Sequence, residues 1–267
     1  AGAAITVAGL HAGLRQYEEG VAVLERSLGL WPRSPQLLKA LGDVEEQAGH
    51  AAKALAARER ALLVDGADLA LRRAVERART GKELLQEEAI STAEALADYQ
   101  ASPGSEDATS AFVLDFAATR AYPDGSSVDR IHVIQKALDQ QGVQEVAEVH
   151  LPADAALLAL RTLKPDGRRL EPETIEGKES VSLPGVQVGD LVEYEYLLAH
   201  PSRGPGLPGF TAGNFYFQVA RQPNSRSTYV VKAPRGAGLK VDAHHVTAPE
   251  PKLEGDLEVF RHEERRG

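Results

Sequence analysis

The stretch 189-GDLVEYEYLL-198 decides how this chain is read. From Asp190 to Leu198 it alternates. Val192, Tyr194, Tyr196 and Leu198 share one face, and Glu193 and Glu195 share the other. A period of two marks a half-buried β-strand, because successive side chains on an extended backbone point to opposite sides. Gly189-Asp190 is the turn that launches the strand. A Pro- and Gly-rich crossing follows from Pro201 to Gly213. A second aromatic run, Phe215-Tyr216-Phe217-Gln218-Val219, then reads as a strand from Asn214 to Val219. Aromatic side chains bury much area per residue, so the core of this half is expected here.

Working outward, the same period extends over the second half of the chain. Phe112 to Ala121 and Val128 to Leu138 form a hairpin across Pro123-Asp124-Gly125, a turn triplet with proline and glycine in their usual places. Strands are expected at Glu145–Leu151, Ala155–Leu163, Arg168–Glu171, Glu179–Leu183, Ser227–Ala233, Leu239–His245 and Asp256–Arg261. Many short strands at this spacing predict an antiparallel sandwich or a related two-sheet fold.

The first hundred residues differ. From Ala3 to about Tyr99 the chain is rich in Ala, Leu, Glu and Arg, which is helix material. Apolar residues recur at helical spacing, as in Val21, Leu24, Leu28 and in Leu37, Leu38, Leu41, Val44. Breaks fall at Gly13, Pro32 to Pro35, Gly49-His50 and Asp65-Gly66. A shift of about 34 residues sets Ala4 on Leu38, Val7 on Leu41, Ala8 on Gly42, Gly20 on Ala54 and Ser27 on Ala61. Small residues thus recur where paired helices would approach closely. With Tyr17-Glu18-Glu19-Gly20 and Trp31-Pro32, this resembles the tetratricopeptide repeat. The units are Ala1–Ser34 and Pro35–Asp68, with a decaying third from Leu69. The second departs from the pattern at Arg58 and Gly66. Ala67 to Arg79 is expected as a capping helix, polar outside, and a further helix from about Lys82 to Tyr99. Since about three repeats are needed for a stable array, the array is expected to continue ahead of Ala1.

The chain therefore divides into helical repeats over residues 1–100, a breaker-rich linker over 101–110 and an antiparallel β-sandwich-like domain over 111–267, an α+β protein. Its net charge of −9 argues against nucleic acid as a partner, since phosphate binding draws on clustered Lys and Arg. The short basic pairs, such as Arg72-Arg73, read as solvated faces. No apolar run reaches the roughly 20 residues a membrane helix needs. With no Cys, thiolate chemistry within the chain is excluded. With no Met either, the chain is expected to be a piece of a longer protein.

In the second half, one order of motifs is specific. The Pro-Asp-Gly hairpin leads to Arg130-Ile131-His132-Val133-Ile134-Gln135-Lys136, then to Lys164-Pro165-Asp166-Gly167, and then to Gly189-Asp190-Leu191-Val192-Glu193-Tyr194-Glu195-Tyr196. From Phe112 to Val259 this resembles the bacterial domain of unknown function that stands immediately before transglutaminase-like domains. In that family catalysis is attributed to a Cys-His-Asp site in the following domain, so the resemblance carries over no catalytic residue. It implies an accessory module, and by association a place in the bacterial cell envelope or periplasm.

The functional expectation is a non-catalytic interaction and substrate-presenting module of a larger transglutaminase- or protease-like protein. A protein or peptide partner would dock on the helical repeats, and no cofactor or metal is called for. The alternative is a stand-alone scaffold that binds a peptide or glycan through the repeat groove or a sheet face. Arg203, Phe210, Phe215 and Tyr216 are the candidate recognition rim. Glu193 and Glu195, two strand positions apart, have a spacing that glycoside hydrolysis could use, but on an open sheet face they read as solvated. His244-His245 point to opposite sides of a strand and cannot chelate one metal together.

Overall fold

The structure is a computed structural model that describes residues 1–101, 107–172, 180–204, 210–219 and 222–266. It shows the α+β order expected, a helical segment followed by a large, mostly antiparallel sheet. Two compact units divide the chain. One is Ala1–Leu84 with Asp124–Ser126 and Pro201–Pro208, and the other is Leu85–Pro123, Ser127–His200 and Gly209–Gly267.

The first unit holds α1 (Gly2–Gly13), α2 (Tyr17–Leu30), α3 (Pro35–Gln47), α4 (Ala51–Leu62) and α5 (Leu69–Thr80). Starts and stops follow local chemistry. Ser34 caps α3 by accepting from the Leu37 N–H, with Pro35 at the first helical position. Asp68 caps α5 at 2.9 Å from the Leu71 nitrogen, and Gly81 ends it in the left-handed region at φ 72°. Leu24, Leu28, Leu37, Leu38 and Leu41 form the core between the helices. Small residues stand where helices touch. A Cβ on Gly20 would lie 3.2 Å from the Ala8 carbonyl oxygen, and one on Gly42 would lie 3.2 Å from that of Ala54. Arg72, read above as part of a solvated face, is buried and donates to the Gly66 carbonyl. Burial here is possible because the backbone supplies an acceptor.

In the second unit, the helix expected over Lys82–Tyr99 is confined to α6 (Thr92–Ala101). Leu85 takes a left-handed φ of 56°, which no helix accommodates, and its side chain is buried. Ser91 restarts the helix by accepting from the Glu94 N–H. Half of the linker read at 101–110, residues 102–106, lies outside the described residues, while Ala101 ends α6 and Ser110 begins the first strand.

The strands are β1 (Ser110–Ala121), β2 (Ser127–Ala137), β3 (Glu148–His150), β4 (Ala156–Leu163), β5 (Arg169–Leu170), β6 (Ser180–Ser182), β7 (Leu191–His200), β8 (Arg226–Pro234), β9 (Lys252–Glu254) and β10 (Leu257–Arg265). Eight form one sheet in the order β5-β4-β7-β2-β1-β8-β10-β9, and β3 and β6 form a two-stranded ribbon. The β1–β2 hairpin closes at Gly125, φ 82°, and runs in register from Ala121↔Ser127 to Ser110↔Ala137. One pair, β1 with β8, is parallel.

Three strand expectations are corrected. Glu145–Leu151 is not one strand. Gln140–Val146 is a helix, α7, capped by Asp139 at 2.7 Å from the Gly142 nitrogen, and only Glu148–His150 is extended. Gly142 is demanded by space, since a Cβ there would fall 1.8 Å from the Thr109 carbonyl oxygen. Val143 and Val146 of α7 pack with Val149, Val181, Leu183 and Val192. Asn214–Val219 is not a strand either. The Phe217 carbonyl accepts from the side chains of Asn224 and Ser227 rather than from a neighbouring strand. Leu239–His245 is irregular, with Gly236, Gly238 and His245 at positive φ and Val241 exposed, so it has no buried face to support a strand. The adjacent His244 and His245 are exposed, and no cluster of three potential metal ligands stands among the described residues. Among the described residues no helix is long and apolar enough to cross a membrane.

Candidate functional site

The register assigns every side chain of the sheet to one of two faces. Leu114, Phe116 and Ala118 of β1 share a face with Ile134 and His132 of β2 and with Glu193 and Glu195 of β7. The glutamates are not solvated as the sequence suggested. This face is covered by α6 and the residues before it, through ion pairs. Glu193 is 1% exposed. It accepts from Thr92 Oγ1 at 2.6 Å, Arg161 Nε at 2.6 Å and His132 Nε2 at 3.0 Å. Burial alone would raise its pKa, but the hydrogen bonds from His132, Arg161 and Thr92 outweigh it and hold the carboxyl at about 2. Such a group is already ionised near neutrality and holds no proton to give as a general acid. His132 Nδ1 also faces an acceptor, the Ile90 carbonyl, at 3.1 Å. Glu195 is bound by Arg130 at 2.8 Å. Farther along, buried Lys232 meets Glu88 at 2.7 Å, and buried Arg226 meets Glu94 at 2.6 Å and Asp98 at 3.0 Å. This face is a fastening.

The other face carries Asp115, Val133, Tyr194, Tyr196, Ser227 and Tyr229. One end is closed by α7 and the β3–β6 ribbon. Toward the other end lies the aromatic run. Phe215 stacks on Tyr229 with ring centres 5.0 Å apart, and Phe217 meets His262 edge to face at 4.6 Å. The Asp115 carboxyl has no hydrogen-bond partner among the described residues, and burial pushes it up to about 6. Burial, with Tyr196 and Asp115 nearby, likewise pushes the Tyr194 phenol above its ordinary range.

Where β8 begins and β10 ends, an open cleft of about 420 Å³ is lined by Asp107, Phe217, Val219, Asn224, Glu264 and Arg266, among others. Asn224 is its polar centre. Its Nδ2 donates to the Phe217 carbonyl at 2.9 Å and to Ser227 Oγ at 2.8 Å. These two bonds orient the amide and leave Oδ1 as a buried acceptor without a partner among the described residues. Val219 beside it is 40% exposed. An exposed apolar side chain in an open, partly polar cleft suits a ligand with an apolar group and polar backbone, such as extended peptide.

Of the four residues read as a recognition rim, Phe215 packs inward against Tyr229 and Phe217, and Tyr216 is 67% exposed. Phe210 is half-buried, and Arg203 is exposed and belongs to the first unit. The prolines and glycines at 205–209 lie outside the described residues. Asn224 and Asp115 were not picked out from sequence. A lone Asn near a strand and a lone Asp within one carry no pattern, and only burial marks them.

A family model described as a domain of unknown function with solved structure, DUF3857, matches residues 123–266. No curated protein matches the sequence. Among solved structures, a "putative protease" from Parabacteroides distasonis ATCC 8503 is similar at 12% identity and a TM-score of 0.44. The match covers 59% of this chain and 35% of that one, so this chain spans about a third of that protein's length.

Proposed function

The chain belongs to the DUF3857 family, and from that premise we propose that it is a non-catalytic module that presents an extended peptide to the rest of a larger, transglutaminase- or protease-like protein. The observation that carries the reading is the open cleft lined by Phe217 and by Val219, an apolar side chain left 40% exposed. An apolar side chain of the peptide covers Val219. Arg266 adds a positive charge to the cleft lining for the peptide's carbonyl or carboxylate groups. The motif order through Lys164-Pro165-Asp166-Gly167 and Gly189–Tyr196 supports the transglutaminase-like association by resemblance. The helical hairpins, with Ala8 against Gly20 and Gly42 against Ala54, support a tetratricopeptide-like arm that docks a protein partner.

The test uses a pool of acetylated, amidated decapeptides of extended, apolar-rich sequence, titrated into the chain and followed by calorimetry. Val219→Glu places a charge in the cleft without touching a buried contact. The expected result is saturable binding that weakens at least about tenfold, or ~1.4 kcal/mol, in the variant with its melting temperature unchanged. Equal affinity in both proteins, or no binding at all, removes the cleft reading. Peptide hydrolysis or cross-linking by the chain itself removes the non-catalytic one.

A further inference from the structure

The sheet face opposite the Glu193 network is uneven, and the strand register fixes where it rises and dips. Asp115 is level with Val133 on one side and Ser227 on the other, and Tyr194 stands beyond Val133. One step along, Ala117 is level with Ile131 and Tyr229, and Tyr196 stands beyond Ile131. Shorter side chains on the two middle strands, β1 and β2, thus sit between tall rings on β7 and β8. Tyr196 and Tyr229 are three strand spacings apart, about 14 Å. Both walls are held in place. The Tyr194 and Tyr196 rings lie nearly parallel with centres 6.5 Å apart, and Tyr229 stacks with Phe215 and is hydrogen-bonded to Thr119. The result is a trough with aromatic sides and a carboxyl in its floor.

The charges of this face are lopsided. Asp129 accepts from Thr119 Oγ1 at 2.6 Å and meets His200 Nε2 at 2.7 Å. Glu264 meets His262 at 2.8 Å. Asp115 alone of the three has no hydrogen-bond partner among the described residues, and it is partly exposed. The lysines and arginines of these strands, such as Arg120, Arg130 and Lys232, fall on the opposite face by the same register. An unmatched carboxylate costs stability unless a cation meets it. Ring faces attract a cation as well, and a slim alkyl stem packs between them.

We propose that this trough binds a lysine side chain of a partner polypeptide, its stem between the tyrosine rings and its ammonium on Asp115. A compact ammonium suits a single carboxylate set between walls better than a planar guanidinium fork does. The inference does not rest on the peptide cleft, whose Phe217, Val219 and Asn224 are not part of the trough.

The test titrates acetyl-Ala-Lys-Ala-amide, and the same peptide with norleucine in place of lysine, into the 267-residue chain at pH 8, where Asp115 is ionised. Tyrosine ring signals are followed by NMR. The lysine peptide is expected to saturate and to bind at least about tenfold tighter than the norleucine peptide. Asp115→Asn keeps the shape of the floor and is expected to cost the lysine peptide about tenfold, and Tyr196→Leu about threefold, with both variants melting cooperatively. Val219→Glu is expected to leave this affinity unchanged, which separates the trough from the cleft. Equal affinity for the two peptides, no saturation by the lysine peptide, or undiminished binding to Asp115→Asn overturns the proposal. So does a loss in Val219→Glu as large as that in Asp115→Asn, which would place the peptide in the cleft. An arginine peptide that binds about tenfold tighter than the lysine one overturns the choice of occupant.

Discussion

Replacing Glu193 with alanine is expected to lower the melting temperature by roughly 10 °C, from a loss of about 3–5 kcal/mol. The physical reason is asymmetry. The carboxylate is fully enclosed and satisfies Thr92, Arg161 and His132 together. Removing it leaves the Arg161 guanidinium without this counter-charge and strips the His132 ring and the Thr92 hydroxyl of their shared acceptor. The same network makes the fold acid-sensitive. A carboxyl held at about 2 in the folded state titrates near 4.3 when unfolded. Its stabilisation is therefore complete above the unfolded value and is lost as pH falls from about 4 toward 2. Chemical denaturation of E193A and the native chain at pH 7 and pH 3 checks both statements. A difference under 1 kcal/mol at pH 7 would show that the network is not what fastens α6 to the sheet.

Asp115 carries the opposite sign. Its folded value of about 6 lies above the ordinary value of 3.8, so folding favours the protonated form. The native state binds more protons than the unfolded one between these limits. Stability is highest below about pH 4 on this account, declines as pH rises toward 6, and stays reduced above it. Two pKa units set an upper bound of about 3 kcal/mol. Asp115→Asn keeps the shape and removes the charge. It is expected to be about 1–3 kcal/mol more stable than the native chain at pH 8 and nearly equal to it at pH 4. Urea midpoints across that range decide the matter, and a variant that tracks the native curve in parallel would refute the assignment.

Local signals were legible to the extent that their causes are local. The turn residues between the first five helices, the Pro123-Asp124-Gly125 hairpin and the alternation of 189–198 depend on neighbours a few residues away, and the structure places them as read. The aromatic run at 215–217 shows where such reading stops. Its side chains do alternate, with Phe215 and Phe217 inward and Tyr216 outward. Alternation reports an extended backbone, but a strand also needs a partner backbone, and here the Phe217 carbonyl is taken by Asn224 and Ser227 instead. The α7 helix was missed because seven residues give too short a pattern, and its Asp139 cap precedes a glycine that reads as a break. The Asn224 acceptor has no sequence signal at all, because an amide becomes notable only when its surroundings bury it.

By itself the sequence determined the α+β order, the breaks between the first five helices, the β1–β2 hairpin, and which residues of β7 share a face, because period and turn chemistry act within a few residues. Only the tertiary structure decided that the Glu193 face is buried rather than wet. That outcome depends on Ile90, Thr92, His132 and Arg161 arriving from distant parts of the chain to match one carboxylate. A charge can be buried only where its partners are placed first, and the sequence pattern of a single strand does not hold that placement.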